Sequence, residues 1–136
     1  VRLIGDDAKC LWKSDIHRGE GFLQRDATTI DLTSFLGVDM IITNPPFSKA
    51  LLLPIIDHLV QSGRPLWLLL PSDIMHNKYM RPYMERCKTI VSVGRLCWFL
   101  DEKTGRRVKG VDNYQWMEFV SYETLTTFQG RMKDDD

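Results

Sequence analysis

Long apolar runs are missing from this sequence. No stretch is long enough to cross a membrane as a helix, and no secretory leader pattern is visible. Cysteine is scarce. Cys10, Cys87 and Cys97 are odd in number and spaced unlike zinc ligands or a small disulfide framework. No metal is therefore expected, and a reducing, cytoplasmic setting is the simplest one. An excess of one charge is also lacking: 18 Lys and Arg meet 18 Asp and Glu. Composition alone thus points to no nucleic-acid partner, although a local basic patch suffices for one. There is no internal repeat and no interdomain linker. The 136 residues are enough for one compact domain with a single core. The chain opens on Val1 rather than Met, which fits a processed or misread start, or a piece of something longer.

What is present alternates between strand-like and helix-like segments. CLWKSDI (10–16) reads as a strand that reaches Asp15, and GFLQRDA (21–27) as a second that reaches Asp26. DLTSFL (31–36) suits a helical turn. VDMIIT (38–43) is β-branched and stops at a proline pair, which predicts a strand buried on both faces. Ser48 is placed to N-cap a helix over 49–62 closed by Gly63, with Pro54 expected to kink or restart it. PLWLLLP (65–71) is another buried strand. Residues 72–87 suit one surface helix, or two short ones broken at Pro82. TIVSVGRLCWFL (89–100) reads as one long strand or two, and NYQWMEFVSY (113–122) as a strand, with a charged loop, 101–112, between them. The pattern predicts an α/β fold in which central parallel strands are closed by a late antiparallel hairpin. Residues 1–126 make the single domain, and 127–136 read as a polar C-terminal tail.

In open α/β sheets, ligands sit beyond the carboxyl ends of the strands. Asp15, Asp26 and Asn44-Pro45-Pro46-Phe47 all fall at such ends. The two prolines remove backbone donors and fix φ, leaving a surface rich in carbonyl acceptors. The Asn44 amide oxygen beside a backbone carbonyl makes two convergent acceptors, a match for a planar amino group with two N–H donors. An aryl amine is a poor nucleophile because its lone pair is delocalised. Acceptors on both protons favour the pyramidal nitrogen of the transition state. Phe47 offers a flat apolar face for a base.

Asn44-Pro45-Pro46-Phe47 resembles the (Asp/Asn/Ser)-Pro-Pro-(Tyr/Phe/Trp) signature of SAM-dependent amino methyltransferases. With proline near 5% of residues, a chance match in such a chain is on the order of one in a few hundred. SDIHRGEGF looks like the family's second-strand motif, and FLQRDAT like its third. The resemblance implies a partial Rossmann-like class I methyltransferase sheet with S-adenosyl-L-methionine as cofactor. Asp15 would bind the ribose, and Asp26 with Ala27 the cofactor's adenine. The run from LCWFLDEKTGRRVKG to NYQWMEF resembles the late hairpin of phage and bacterial N6-adenine DNA methyltransferases. Tyr114 or Trp116 would then hold a flipped base, and Lys103, Arg106, Arg107 and Lys109 would meet DNA phosphates. The sequence departs from the family in one respect. It has no Phe-x-Gly-x-Gly or Pro-x-x-Gly-x-Gly loop, and no first strand, which in the family is the central one.

Three functions stay open at this point. One is methyl transfer to N6 of adenine in DNA. The second is the same chemistry on RNA or on protein glutamine, for which the family more often has Tyr where this chain has Phe47. The third is a non-catalytic decoy, relic or subunit, self-associating or completing another chain. Plainer roles stand beside the sharp ones. Asp15 and Asp26 also suit turns or caps, Tyr114 and Trp116 the core, and the basic loop a solvated tip.

Overall fold

The computed structural model describes residues 14–15, 23–97, 99–108 and 110–131. The strands are β1 (Ser14–Asp15), β2 (Leu23–Gln24), β3 (Ile41–Thr43), β4 (Leu66–Pro71), β5 (Cys87–Arg95), β6 (Phe99–Leu100), β7 (Arg107–Val108), β8 (Asn113–Phe119) and β9 (Thr127–Gln129). Two α-helices, α1 (Lys49–Val60) and α2 (Arg81–Met84), and three 3-10 turns at Leu32–Phe35, Ser72–His76 and Lys78–Met80 connect them. Five strands form an open mixed sheet in the order β3-β4-β8-β5-β9. β3 runs parallel to β4, and β9 parallel to β5. β8 is antiparallel to both of its neighbours. β1 and β2 form a separate parallel pair, and β6 and β7 a small antiparallel ribbon. The protein is thus α/β.

The core follows from two periodicities. In α1, Leu52, Ile55, Ile56, Leu59 and Val60 are buried, the stripe of an amphipathic helix. In β4 every second residue, Leu66, Leu68 and Leu70, enters the same core, and in β8 Met117 and Phe119 do so. Leu68, Met117 and Ile90 are in register across three strands and all buried. Each such side chain contributes about 1.5–3 kcal/mol on leaving water. Ile74 and Met80, from the 3-10 turns after β4, close the same core. His58 lies in α1, and its Nε2 donates to the Ile30 carbonyl at 2.6 Å, fixing the 26–31 turn to the helix.

Several expectations change. β3 is not buried on both faces. Ile42 is 41% exposed, and among the described residues β4 is the one strand paired with β3, so β3 forms an edge of this sheet. Pro54 does not restart α1, which runs unbroken from Lys49 to Val60. Ala50, whose carbonyl loses its partner, is on the exposed side and can turn that oxygen to water. Ser48 holds the N-cap position, but its hydroxyl makes no capping bond, and its carbonyl accepts the first helical bonds, from Leu51 and Leu52. Residues 72–84 form two 3-10 turns and one turn of α-helix, with Pro82 in the first turn of α2, where it costs no hydrogen bond. The 101–112 loop is not featureless, because Arg107–Val108 pairs with Phe99–Leu100. The sheet also continues past residue 126. Thr127–Gln129 joins it as β9, with Thr126 Oγ1 donating to the Cys87 carbonyl at 2.6 Å.

The late antiparallel hairpin is present as β5 and β8, and β8 lies between β4 and β5. Of the first expected strand, Ser14–Asp15 is described as β1, and of the second, Leu23–Gln24 as β2. Cys10 and Lys109 lie outside the described residues, as does the side chain of Asp15.

Candidate functional site

Because β3 and β4 are parallel, their carboxyl ends share one edge of the sheet. β5 ends at that edge too, and antiparallel β8 begins there. The topology therefore gathers Asn44–Phe47, the turn after Pro71, Gly94 and Tyr114. Pro71 and Gly94 are the register partners of Tyr114 on its two sides.

Asn44 is exposed directly after β3, and Pro45 behind it is buried. Pro46 is exposed, and Phe47 is half-buried with one side packed on the hydrophobic core. This places the amide of Asn44 toward solvent on a backbone anchored by Pro45 and Phe47. The Phe47 and Tyr114 rings meet at a centroid distance of 5.9 Å, inclined by 49°, within the range of favourable aromatic pairs. The structure thus brings together a tetrapeptide and a strand residue that the sequence reading joined only through the family resemblance. Trp116 is on the same face of β8 one pair deeper, half-buried and in register with Leu69 and Val91. It sits farther from the edge than Tyr114.

Two further residues join this edge that sequence reasoning passed over. Lys49, the first residue of α1, holds its ammonium 5.4 Å from the centre of the Tyr79 ring, a cation–π distance. The Tyr79 hydroxyl accepts from Asn77 Nδ2 at 3.1 Å. This contact ties the start of α1, and with it Phe47, to the segment after β4. A tyrosine eight residues past a strand end was the available signal, masked by the polar surroundings of 72–87.

The cofactor-side candidates are less assembled. Asp26 is exposed, and its Oδ1 accepts from the Thr28 backbone N–H at 2.8 Å and the Thr28 hydroxyl at 2.7 Å. These bonds hold its carboxyl below the usual range. Asp26 thus stays ionised and oriented while shaping the turn. Ala27 is half-buried on the core. Asp15 ends β1 beside β2.

Lys103, Arg106 and Arg107 are exposed on the β6–β7 ribbon, which leaves the sheet between β5 and β8 at the Tyr114 edge. Asp101 accepts from the backbone N–H groups of Lys103 and Thr104 at 2.8 and 3.3 Å, and these bonds lower its pKa. Gly105, at φ 65°, completes the tight tip.

Other polar features lie elsewhere. Glu118 is buried and accepts from Thr89 Oγ1 at 2.8 Å, deep in the sheet. A cavity of about 300 Å³ is lined by Ile56, Asp57, Tyr83, Arg86 and Phe119. Phe119 pairs with Leu66 at the start of β4, so this cavity opens at the opposite edge from Asn44. Among the described residues, no three His, Cys, Asp or Glu side chains group as metal ligands, and no helix is long and apolar enough to cross a membrane.

Compared with protein-family models, curated proteins and solved structures, the chain matches none.

Proposed function

We propose that this chain captures an adenine flipped out of DNA and presents its N6 amino group for methylation by S-adenosyl-L-methionine. The observation that carries the reading is the Asn44-Pro45-Pro46-Phe47 turn at a strand's carboxyl end, with Phe47 5.9 Å from Tyr114. The strand order supports it. β1 and β2 form a separate parallel pair, and the sheet β3-β4-β8-β5-β9 has one antiparallel strand, β8, inserted between β4 and β5. An antiparallel strand inserted next to a parallel pair, with the Asn44–Phe47 turn at that pair's carboxyl end, is the arrangement that a late hairpin closing a Rossmann-like methyltransferase sheet would give.

The residues at this edge supply the acceptor half of the reaction. Phe47 and Tyr114 form two inclined aromatic walls, and a purine inserted against them exchanges water for apolar contact worth about 1–3 kcal/mol. The Asn44 amide oxygen and the neighbouring backbone carbonyl accept the two N6 protons. As the nitrogen becomes tetrahedral, those protons gain positive character and both hydrogen bonds strengthen. The stabilisation is therefore larger in the transition state than in the ground state. No strong base is required, because an ammonium-like N6 sheds its proton to water.

The cofactor would supply an electrophilic methyl group. Asp26 is the one cofactor-side carboxylate whose side chain is described, and it is held by Thr28. With no glycine-rich cradle in the sequence, the described residues do not make up a complete site for the methionine half of that cofactor.

The test is transfer of labelled methyl groups from S-adenosyl-L-methionine to adenine-containing DNA, followed by nucleoside analysis. N6-methyladenine that disappears with Asn44→Ala supports the reading. No transfer by the native chain, or equal transfer by Asn44→Ala, overturns it.

A further inference from the structure

The edge that carries Asn44 and Phe47 also receives a residue from the other end of the sheet. β9 runs parallel to β5, so the chain leaves β9 at this same edge, and Arg131 follows shortly after Gln129. Its side chain lies over Gly94. A Cβ built on Gly94 would meet Arg131 Cδ and Nη1 at 3.6 Å and Nε at 3.7 Å.

Gly94 is in turn the register partner of Tyr114, next to a bulge in β5. Directly opposed residues of an antiparallel pair carry Cβ atoms about 4.5–5.5 Å apart. The Arg131 side chain therefore packs at van der Waals distance from the position that a side chain at 94 would take, on the strand next to Tyr114. Gly94 sits at φ 86°, a conformation that glycine adopts without strain.

The edge thus presents a row: Phe47, Tyr114, Arg131. Two ring faces are followed by a planar cation with up to five donors. Aromatic faces take bases, and a guanidinium takes two phosphate oxygens at once. That sequence of groups matches a nucleotide that is stacked through its base and gripped through its backbone. We infer that Arg131 holds the phosphodiester adjoining the nucleotide whose base enters against Phe47 and Tyr114. One task of β9 is to carry Arg131 to that point. The identity of the ligand as nucleic acid rests on the proposed function; the phosphate contact does not require methyl transfer.

The experiment is fluorescence anisotropy of a labelled single-stranded oligodeoxynucleotide containing one adenine, titrated with the full chain over a range of salt concentrations. Arg131→Ala should weaken binding about tenfold at low salt and reduce the log–log salt slope by about 0.7, the loss of one phosphate contact on a single strand. Arg131→Lys should restore the slope and only part of the affinity, because an ammonium does not bind bidentately. Arg81→Ala, on α2, should leave both unchanged. A wild-type slope in Arg131→Ala overturns the inference, whatever happens to its affinity, and so does a native chain that does not bind. The two readings fail separately. Arg131-dependent binding without methyl transfer removes the catalytic reading alone. Methyl transfer with unchanged KM in Arg131→Ala removes the phosphate contact alone.

Discussion

Phe47 and Tyr114 hold their rings 5.9 Å apart at 49° across the carboxyl edge of the sheet, one from the turn after β3 and the other the second residue of β8. Neither ring is fully buried, and Phe47 also packs on the core. The pair therefore has both a structural and a binding component, and a double-mutant cycle separates them. Phe47→Ala should cost about 2–3 kcal/mol of unfolding free energy, below the full range for buried phenylalanine because the ring is only half covered. Tyr114→Ala should cost less. Their coupling should fall near 0.5–1.5 kcal/mol. Capture of an extrahelical adenine analogue, read by its fluorescence, should fall about tenfold or more in each single variant. Wild-type capture in both would remove the rings from the site.

Asn44 makes the opposite prediction. It is exposed and outside the core, so Asn44→Ala should change stability by no more than about 0.5 kcal/mol in urea unfolding. Methyl transfer should nevertheless fall at least about a hundredfold, since one transition-state acceptor is lost. The loss should appear in kcat, with KM little changed, because the hydrogen bond strengthens as the nitrogen becomes tetrahedral. A purely KM effect would make Asn44 a binding residue only.

The division between what was legible in the sequence and what was not has physical causes. β4, α1 and β8 were legible because a run such as LWLLLP and a stripe such as Leu52, Ile55, Ile56, Leu59 follow the period of the element they form. The Asn44–Phe47 turn was legible because two prolines end a strand whatever surrounds them. The edge position of β3 was not, since apolar β-branched residues look alike in a central strand and in an edge strand whose second neighbour is undetermined. β9 was missed because Thr127–Gln129 is short, exposed and polar-flanked, and pairs with β5 through backbone groups that carry no sequence signal. Missing β9 meant missing Arg131. For Asp26 the sequence suits a cofactor contact and a turn alike, and the bonds from Thr28 show the turn.

Pro54 gives a test of the helix itself. It sits inside a continuous α1 and is exposed. An interior proline disfavours a helix by about 3 kcal/mol relative to alanine. Here part of that cost is already relieved by solvation of the Ala50 carbonyl and by the smaller entropy of the unfolded chain. Pro54→Ala should therefore raise stability, by about 1–2 kcal/mol, visible as a higher urea midpoint with an unchanged m value. A lower midpoint would mean that the proline rigidifies the helix start and so supports the Phe47 turn.

Cys87 and Cys97 should behave as two different thiols. Cys87 is buried at the start of β5, and burial, with the nearby Glu118 charge, pushes its pKa up to about 12 from an ordinary value of 9.0. Cys97 is exposed. The thiolate is the reactive form, so iodoacetamide at mildly alkaline pH should label Cys97 quickly and Cys87 only after unfolding, as resolved by peptide mass mapping. The same shift sets a pH dependence. The folded state holds the Cys87 proton more tightly than the unfolded state, so this contribution is fully present below about pH 9. It is lost as pH rises toward 12, because only the unfolded chain ionises over that interval. Cys87→Ala, whatever its cost at neutral pH, should therefore show a flatter decline of the urea midpoint above pH 9 than the native chain. Parallel declines in the two proteins would place the alkaline sensitivity elsewhere, with Tyr83 next in line because burial and its bond to Asp57 also raise its pKa.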